Sequence, residues 1–520
     1  MSGSASLSTP EPNHPYRAWA GWLGVAPVAY VLAFCVVPTA VLVSRLGSFD
    51  RVGDVLSNPS VRDALWFSAW QAVVSAAACL VLALPVTWVL ARFDFASRRV
   101  VSAIVTTPFL LPTVVVGVAI LAALPDDLDY TWFAVVVAHA YFNLAVVVRV
   151  VGARWESISP HLTAAAQTLG ASKMRAVATI LVPALRPAIV TASAIVALFC
   201  FTSFGVVRMV GGPSLSTIET EIYARAMLIG DLDGAVVLAL GQVVFLVVVG
   251  LLVTRREGTV RRVDRLVTRR RPLRTDPARH LAIGILVSTI AFITIPWLAT
   301  AGRSVGGWGF VASEAFRDAL RTSLRTAAIC AALAGILGTA SALAATYSPT
   351  WARIGGMMTA LPLTISAVVI GLGYILTFDN PPFDFRASWF LTPLAHALIA
   401  LPLVHMVVTQ AARSIPRDVS AAAMTLGATR LRAWLTIDAR LLRRSIASAT
   451  AVSAAVSLGE FGAASFLTRR DSTTLPVLIA REIGRPGDLR TAQAYVVATL
   501  FIAVAIVVLA VVESTEGRSS

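Results

Sequence analysis

The chain has 520 residues, of which 57% are hydrophobic and only 14% are charged. A soluble protein would carry about a quarter charged residues, so the composition excludes an ordinary soluble domain and predicts a polytopic membrane protein. The net charge of +15 does not indicate nucleic-acid binding, because nine Arg residues fall in the short block 255–274 between two apolar runs, where membrane topology and anionic lipid headgroups explain them.

The apolar runs are about twenty residues long, which is enough to cross a hydrocarbon core ~30 Å thick. They predict an all-α polytopic fold of about twelve transmembrane helices. The expected spans are residues 20–46, 63–91, 100–124, 131–152, 184–210, 235–254, 279–301, 318–346, 352–378, 388–411, 442–467 and 490–512.

Charges in the connecting segments orient these spans. The segment after the second span (ARFDFASRR) is basic, the one after the third (PDDLDY) is acidic, and the block after the sixth is the most basic of all. Basic loops face the cytoplasm, so both termini and the block are predicted to be cytoplasmic, in a bacterial inner membrane. Arg469 and Arg470 run against this trend, and the orientation rests on the sum of the loops.

An internal repeat divides the chain into two halves. A shift of 257 residues aligns His139 with His396, residues 168–171 with 425–428, and residues 230–232 with 487–489. Similarity between apolar runs alone would not align His, Gly and Asp together. The predicted organisation is a tail (1–19), a six-span repeat (20–254), a basic linker (255–278), a second six-span repeat (279–513) and a tail (514–520). Six spans per repeat give parallel halves, which predicts a substrate pathway between them.

Between the fourth and fifth spans of each half lies a polar loop. The first repeat loop (161–187) reads HLTAAAQTLGASKMRAVATILVPALRP, and the second repeat loop (418–444) reads DVSAAAMTLGATRLRAWLTIDARLLRR. Alanine favours helix, and the Gly permits a sharp change of direction or a close backbone approach. A short helix with small side chains suits insertion into a groove of a partner protein.

Both loops resemble the pattern Glu-Ala-Ala, three residues, Gly, nine residues, Ile, one residue, Leu-Pro of ABC importer permeases. The Glu is replaced by Ala in both copies, and the final Pro survives only in the first, where the second has Arg440. The resemblance implies a coupling helix that docks on an ATPase subunit. The positions it marks are Ala164, Ala165, Ala166, Gln167, Gly170, Ala171, Ile180, Pro183, Ala421, Ala422, Ala423, Met424, Gly427, Ala428 and Ile437.

The fused layout resembles the ferric-iron and thiamine permeases of this family over essentially the whole chain. That resemblance implies an extracytoplasmic substrate-binding protein and two ATPase subunits, expected to be identical, which bind ATP and Mg. No GxxxxGK[ST] motif occurs in the chain, so it is not expected to be an ATPase or to hold a cofactor itself. Thiamine and ferric iron are the expected substrates, while a polyamine or another small solute stays open.

Several polar residues in apolar segments admit two interpretations. Candidate residues of the substrate pathway are Ser203, Phe204, Glu460 and Phe461. Glu460 aligns with Ser203 and either attracts a cationic substrate or has a structural role, which we favour. His139 and His396 serve either in the pathway or, as we favour, in helix–helix hydrogen bonds.

Glycines and acidic residues near the ends of spans also leave alternatives. Gly117 and Gly371 are typical of helix-packing positions rather than hinges. Glu219 and Glu221 are expected outside the membrane, either against a binding protein or in a solvated acidic loop.

A rival class is the ion- or proton-coupled secondary transporter, which also favours twelve spans in parallel repeats. The paired Ala-rich loops and the scarcity of acidic residues within spans argue against it. The four cysteines are isolated in apolar runs, so neither a metal site nor a disulfide framework is expected.

Overall fold

The computed structural model describes residues 15–46, 49–257, 270–379, 385, 388–469 and 472–516. These residues are largely helical, as lipid requires, because a helix satisfies its backbone hydrogen bonds internally. The helices of the first half are α1 (Arg17–Val31), α2 (Val37–Ser44), α3 (Phe49–Ser57), α4 (Pro59–Arg92), α5 (Arg98–Leu110), α6 (Thr113–Ala123), α7 (Trp132–Ser157), α8 (Pro160–Thr168), α9 (Lys173–Ala176), α10 (Val182–Phe201), α11 (Gly205–Val210), α12 (Ile218–Tyr223) and α13 (Leu232–Glu257).

The remaining helices belong to the second half of the chain. They are α14 (Arg279–Arg303), α15 (Glu314–Tyr347), α16 (Pro349–Ala360), α17 (Ala367–Phe378), α18 (Leu391–Ser414), α19 (Arg417–Thr425), α20 (Arg430–Ala433), α21 (Ala439–Gly459), α22 (Gly462–Leu467), α23 (Leu475–Ile483) and α24 (Asp488–Glu516). Two short strands, β1 (Phe93–Asp94) and β2 (Arg271–Pro272), pair in parallel.

Within the described ranges, nine helices are long and apolar enough to cross a membrane, or eleven if each of two bent helix pairs is one span. The all-α polytopic class is confirmed, but the count of twelve is not reached. The predicted span 442–467 corresponds to α21 and α22. Arg443, Arg444 and several serines lower the hydropathy of α21, and a two-residue break separates it from α22.

Two predicted spans are broken helices. The predicted span 100–124 is α5 and α6, which meet at 108°, and 352–378 consists of Pro349–Thr364 and α17, which meet at 95°. Pro112 follows the last residues of α5, and the position before a proline disfavours helical backbone. In the second pair Ile365 is extended, and the hydroxyl of Ser366 accepts a hydrogen bond from the Val369 amide at 3.2 Å. Each bend therefore has a local cause in the sequence.

The described residues form two compact units that do not follow the sequence halves. Unit 1 takes its residues from Met1–Val52, Ile222–Leu252 and Glu314–Val477. Its core joins α1 to α15 and α18, with Tyr30 and Val31 buried against Cys330 and Leu398. Packing is close enough that a Cβ on Gly24 would lie 2.2 Å from the ring of Trp351.

Unit 2 takes its residues from Gly53–Glu221, Val253–Ser313 and Leu478–Ser520. In it α14 packs on α4, α5 and α6, and α24 packs on α14. The buried Tyr141 of α7 donates a hydrogen bond to the carbonyl of Ile293 on α14 at 3.0 Å. Each unit therefore holds the middle of one sequence half together with helices from both ends of the other.

Candidate functional site

The first repeat loop folds as a helix, a glycine corner and a second helix. The Gly170 amide donates to Gln167 O and the Ala171 amide donates to Ala166 O, each at 3.0 Å. These are the two hydrogen bonds of a Schellman cap, which needs a left-handed residue after the helix. Gly170 supplies it with φ +89°. Ser172 then starts α9 by accepting from the Arg175 amide at 3.3 Å.

The second repeat loop repeats this corner with the same geometry. The Gly427 and Ala428 amides donate to Met424 O and Ala423 O, each at 3.0 Å, and Gly427 also has φ +89°. Thr429 replaces serine as the cap of α20. The helix before the glycine has nine residues in both loops. The Thr-Leu-Gly-Ala motif shared by the halves is therefore a helix-ending signal.

The outer surface of each corner is apolar. Leu169 and Leu426 are each 88% exposed, and Met174 and Leu431 are exposed next to them. Of the Ala-rich positions, Ala164, Ala165, Gln167, Ala421 and Ala422 are exposed, while Ala166, Ala171, Ala423, Met424 and Ala428 are half-buried. Exposed apolar side chains beside small ones are typical of a surface that binds another protein.

The remaining predicted loop positions lie beyond the corner. Ile180 and Ile437 are half-buried in equivalent π-helical turns, Val177–Leu181 and Trp434–Asp438. Pro183 stands at the start of α10, directly after the first of these π-helical turns. The structure therefore places the predicted residues of each loop on one continuous segment, within unit 2 for the first loop and within unit 1 for the second.

A buried polar cluster holds the second repeat loop and was missed from the sequence. The hydroxyls of Tyr16 and Ser420 each donate to Asp438 Oδ2 at 2.9 Å. Trp434 Nε1 donates to the hydroxyl of Tyr347 at 2.7 Å, and the Tyr347 ring contacts that of Tyr16. Burial, followed by the hydrogen bond to Asp438, raises the pKa of Tyr16 to about 12. The available signal was Asp438 itself, which with Asp418 is one of two acidic residues in a basic loop.

The region beside the first repeat loop uses different chemistry. Glu156 binds Arg98 at 3.1 Å and Arg270 at 2.8 Å, and Arg270 directly precedes β2. At the position aligned with Asp438 the first loop has Leu181. In each half, a residue just before the first span therefore binds an acidic side chain. In unit 1 this is the hydrogen bond from Tyr16 to Asp438, and in unit 2 it is the ion pair of Arg270 with Glu156.

The four predicted pathway residues are all buried. Ser203, Phe204, Glu460 and Phe461 lie at the breaks before α11 and α22. Glu460 accepts hydrogen bonds from the amides of Ala463 and Ala464, each at 3.0 Å, and lies 3.0 Å from His396 Nε2. Ser203 O accepts from Thr217 Oγ1 at 3.2 Å. Because these contacts occupy the carboxylate, they favour the structural interpretation of Glu460.

His139 and His396, the two histidines aligned by the repeat, each make a hydrogen bond to a neighbouring helix. His139 Nδ1 lies 3.2 Å from Ser75 Oγ on α4, whereas His396 Nδ1 lies 2.8 Å from Ser457 Oγ on α21. The shift of 257 residues pairs Cys200 with Ser457, and along α4 the register is 255, which aligns Arg62 with Arg317 and pairs Ser75 with Cys330. Each histidine therefore has one serine and one cysteine at the two aligned positions. The serine lies on α4 in the first half and on α21 in the second, and in both halves it is the serine that binds the ring.

The acidic residues after α11 correct one expectation. Glu219 and Glu221 are buried, and Glu221 Oε1 accepts a hydrogen bond from Ser60 Oγ at 3.0 Å. A solvated acidic loop was therefore wrong. Among the described residues no group of three or more His, Cys, Asp or Glu side chains is placed to hold a metal ion, and the four cysteines are buried free thiols.

Comparisons with known proteins agree with this architecture. Residues 83–262 match the family model described as binding-protein-dependent transport system inner membrane component. The sulfate transport system permease protein CysT of Salmonella typhimurium is 30% identical over 198 residues, which cover 35% of this chain and 72% of that protein.

Two fused permeases match over most of the chain. The thiamine transport system permease protein ThiP of Escherichia coli is 25% identical over 531 residues, which cover 96% of this chain and 97% of that protein. ThiP of Brucella suis is 26% identical over 458 residues, or 80% and 81% of the two chains. The chain belongs to the family of binding-protein-dependent transport system inner membrane components, as a fused two-repeat permease of a type-I ABC importer.

Proposed function

We propose that this permease imports thiamine. The observation that carries the proposal is the length of the matches: the two thiamine permeases align over 96% and 80% of this chain, whereas the sulfate permease aligns over 35%. A long match includes both halves and therefore any residues that line a pathway between the repeats. Ferric iron, the other substrate expected from the sequence, is not named by these relatives.

Uptake by whole cells tests the substrate. The chain is expressed with its ATPase and binding protein in a strain that neither makes nor imports thiamine. We expect uptake of labelled thiamine that excess unlabelled thiamine abolishes and that ferric citrate and sulfate leave unchanged. Uptake of labelled iron or sulfate in place of thiamine would show that the substrate is wrong, while the family would stand.

The repeat loops are the sites at which ATP hydrolysis is coupled to transport in this proposal. Each presents an exposed leucine and a row of small side chains beside a rigid glycine corner, which suits a groove on an ATPase subunit. Two loops call for two such subunits, which bind ATP and Mg and lie in the cytoplasm with both chain termini. ATP can shift the permease between states only through contacts that differ between those states, and the loops supply them.

Paired substitutions at the two corners test this role. No atom beyond the local backbone lies within 4 Å of a Cβ built on Gly170 or Gly427, so a side chain there meets conformational strain but no clash. Asn tolerates the left-handed region, whereas Val does not. We expect G170V/G427V to lower substrate-stimulated ATP hydrolysis and uptake at least tenfold, and G170N/G427N to keep most of both.

The two double variants separate two reasons for glycine at the corner, namely its left-handed backbone conformation and its lack of a side chain. Loss in both double variants would mean that the backbone approaches the partner too closely for any side chain. Full activity of the valine variant would contradict the coupling role. The rival secondary transporter predicts transport by the isolated chain in liposomes, and we expect none without the ATPase.

A further inference from the structure

A cavity of about 370 Å³ lies in unit 2 beside the start of α14. One end is polar and is lined by Ser97, Arg274 and Arg279. The other end is apolar and is lined by Ile283, Val287 and Ile290, which follow one face of α14 at helical spacing. The cavity is neither in the repeat loops nor at the predicted pathway residues, so its occupant is independent of the proposed function.

The polar end carries positive charge that the described residues leave unbalanced. Arg274 and Arg279 are exposed, and neither forms an ion pair in that part of the chain. Of the carboxylates around it, Glu156 binds Arg98 and Arg270, and Asp276 Oδ1 accepts from the Ala278 amide at 2.9 Å. Asp94, which lies opposite Pro272 on β1, forms no ion pair with either arginine among the described residues. This end of the cavity therefore attracts an anion.

The two helices that begin here strengthen this potential. Both α5 and α14 start with arginine and have no acidic residue in the first turn. A helix N-terminus is itself positive and normally favours acidic neighbours. Ser97, which precedes α5, makes no capping bond with its side chain, so its hydroxyl is available to a ligand. The starts of α5 and α14 therefore carry arginine where acidic residues are usual, which favours a bound anion.

The apolar end continues onto the membrane-facing surface. Ile283 and Val287 are exposed on α14, a helix apolar enough to span the bilayer. From Arg279 to Ile290 the helix rises about 17 Å, just over half of a hydrocarbon core of ~30 Å. That length matches one acyl chain that extends from the headgroup level towards the bilayer centre.

We propose that this cavity binds an anionic phospholipid, with its phosphate against Arg274, Arg279 and the Ser97 hydroxyl and one acyl chain along the apolar face of α14. The positive-inside rule puts this end of α14 in the cytoplasmic leaflet, which is rich in anionic lipid. The linker residues 258–269 are a poor occupant, because they carry four Arg and one Asp and would be repelled by the same charges.

Lipid binding to the purified full-length chain tests the site. The delipidated protein in neutral detergent is titrated with phosphatidylglycerol or phosphatidylcholine, and native mass spectrometry counts the bound lipids. We expect one phosphatidylglycerol to bind tightly to the wild type. R274Q/R279Q should weaken the affinity about 30-fold, because each arginine contributes roughly 1 kcal/mol and every 1.4 kcal/mol corresponds to about tenfold in affinity. The matched control R443Q/R444Q removes the same charge from exposed arginines of unit 1 and should change the affinity less than threefold.

A second variant keeps every charge and blocks the apolar end. Val287 is 60% exposed, so V287W should leave the fold intact, as an unchanged melting temperature would show, and still lose the tight lipid. Equal weakening by the two arginine pairs would reduce the effect to general surface charge and overturn the site. Equal binding of phosphatidylcholine, or a V287W protein that binds phosphatidylglycerol as the wild type does, would overturn it as well.

Discussion

Asp438 shows how a single buried carboxylate can fix a loop. Burying a charge is costly unless it is paired and hydrogen-bonded, and here two hydroxyl donors, one from the same loop and one from the start of the chain, supply the bonds. One of them, Tyr16, lies just before the first span, 422 residues away along the chain. The second repeat loop therefore depends on a residue that belongs to the other sequence half.

Replacing Tyr16 by Phe should weaken unit 1 measurably. Hydrogen bonds to charged groups contribute about 1.5–3 kcal/mol and neutral ones about 1 kcal/mol. Y16F should therefore lower the free energy of unfolding in detergent by more than Y30F, which removes only the bond from Tyr30 to the carbonyl of Leu394. Equal losses in the two variants would show that Asp438 does not depend on the tyrosine.

The same variant gives a pH signature with a defined sign. The pKa of Tyr16 is raised from its usual value of about 10 to about 12 in the folded chain. The stability that it contributes is complete below pH 10 and is lost as the pH rises towards 12, because the unfolded chain gives up this proton first. The stability difference between wild type and Y16F should be constant from pH 7 to 9 and shrink above pH 10. A difference that grows there would contradict the assignment.

The paired histidines allow an internal control. His396 Nε2 lies 3.0 Å from Glu460 Oε2, whereas His139 makes no such contact with a carboxylate among the described residues. Removing a partner of a buried, hydrogen-bonded carboxylate typically costs about 1–3 kcal/mol, so H396A should destabilise the chain by about 1 kcal/mol more than H139A. Equal thermal or denaturant unfolding of the two variants would contradict a special role for the His396–Glu460 contact.

At the scale of elements, one glycine in each half brings a broken helix against a short one. A Cβ on Gly117 of α6 would lie 2.6 Å from Met209 Cβ on α11, and one on Gly371 of α17 would lie 3.0 Å from Phe466 on α22. Met209 aligns with Phe466 at the shift of 257 residues, and Gly117 aligns with Gly371 at a register of 254, so the two contacts are equivalent in the two halves. Both glycines are therefore packing positions, as the sequence predicted.

Alanine at Gly117 should separate these helices. Overpacking of this kind costs about 1–3 kcal/mol, and G117A should lower the melting temperature accordingly. G356A is the control, because a Cβ at Gly356 in α16 meets nothing within 4 Å and replacing a helical Gly with Ala contributes about 0.5–1 kcal/mol of stability. A stabilised G117A protein would contradict the close packing.

The elements that were predicted well are those with local signals. Helix lengths follow from apolar runs, and the glycine corners at Gly170 and Gly427 follow from a motif whose hydrogen bonds are all local. Hydropathy predicts α5 and α6 as one straight span. Pro112 lies within an apolar run, and a hydropathy average is the same whether the helix axis is straight or bent. The predicted span 442–467 is not among the candidate spans of the described residues, since Arg443 and Arg444 lie inside it and lower its hydropathy.

At the scale of the whole molecule, the exchange of end helices between sequence halves is the main feature that periodicity could not reveal. Hydropathy shows that α1 must pack against something, but not that its partners are α15 and α16 rather than its neighbours in sequence. The same holds for α14 against α4, α5 and α6. The partner of an apolar face is decided by side-chain shape, as at Gly24 and Trp351, and not by sequence distance.

This exchange predicts how a divided chain behaves. Each half alone would lack helices that complete its unit, so residues 1–263 and 264–520 expressed separately should be degraded. When they are co-expressed, the fragments should purify together through a tag on either one, and they should support uptake. Stable accumulation of one fragment in the membrane without the other would contradict mutual dependence.

The exchange also has a consequence for the order of synthesis. Helix α1 leaves the ribosome about 300 residues before its partner α15, which at roughly 5–20 residues per second is a delay of about 15–60 s. During that time its buried face, with Tyr16, Tyr30 and Val31, has no native partner. Unit 2 waits longer still, until α24 at the end of the chain has been made. Final packing is therefore a late step, and the nascent first half needs lipid or a chaperone to cover its apolar surface until the chain is complete.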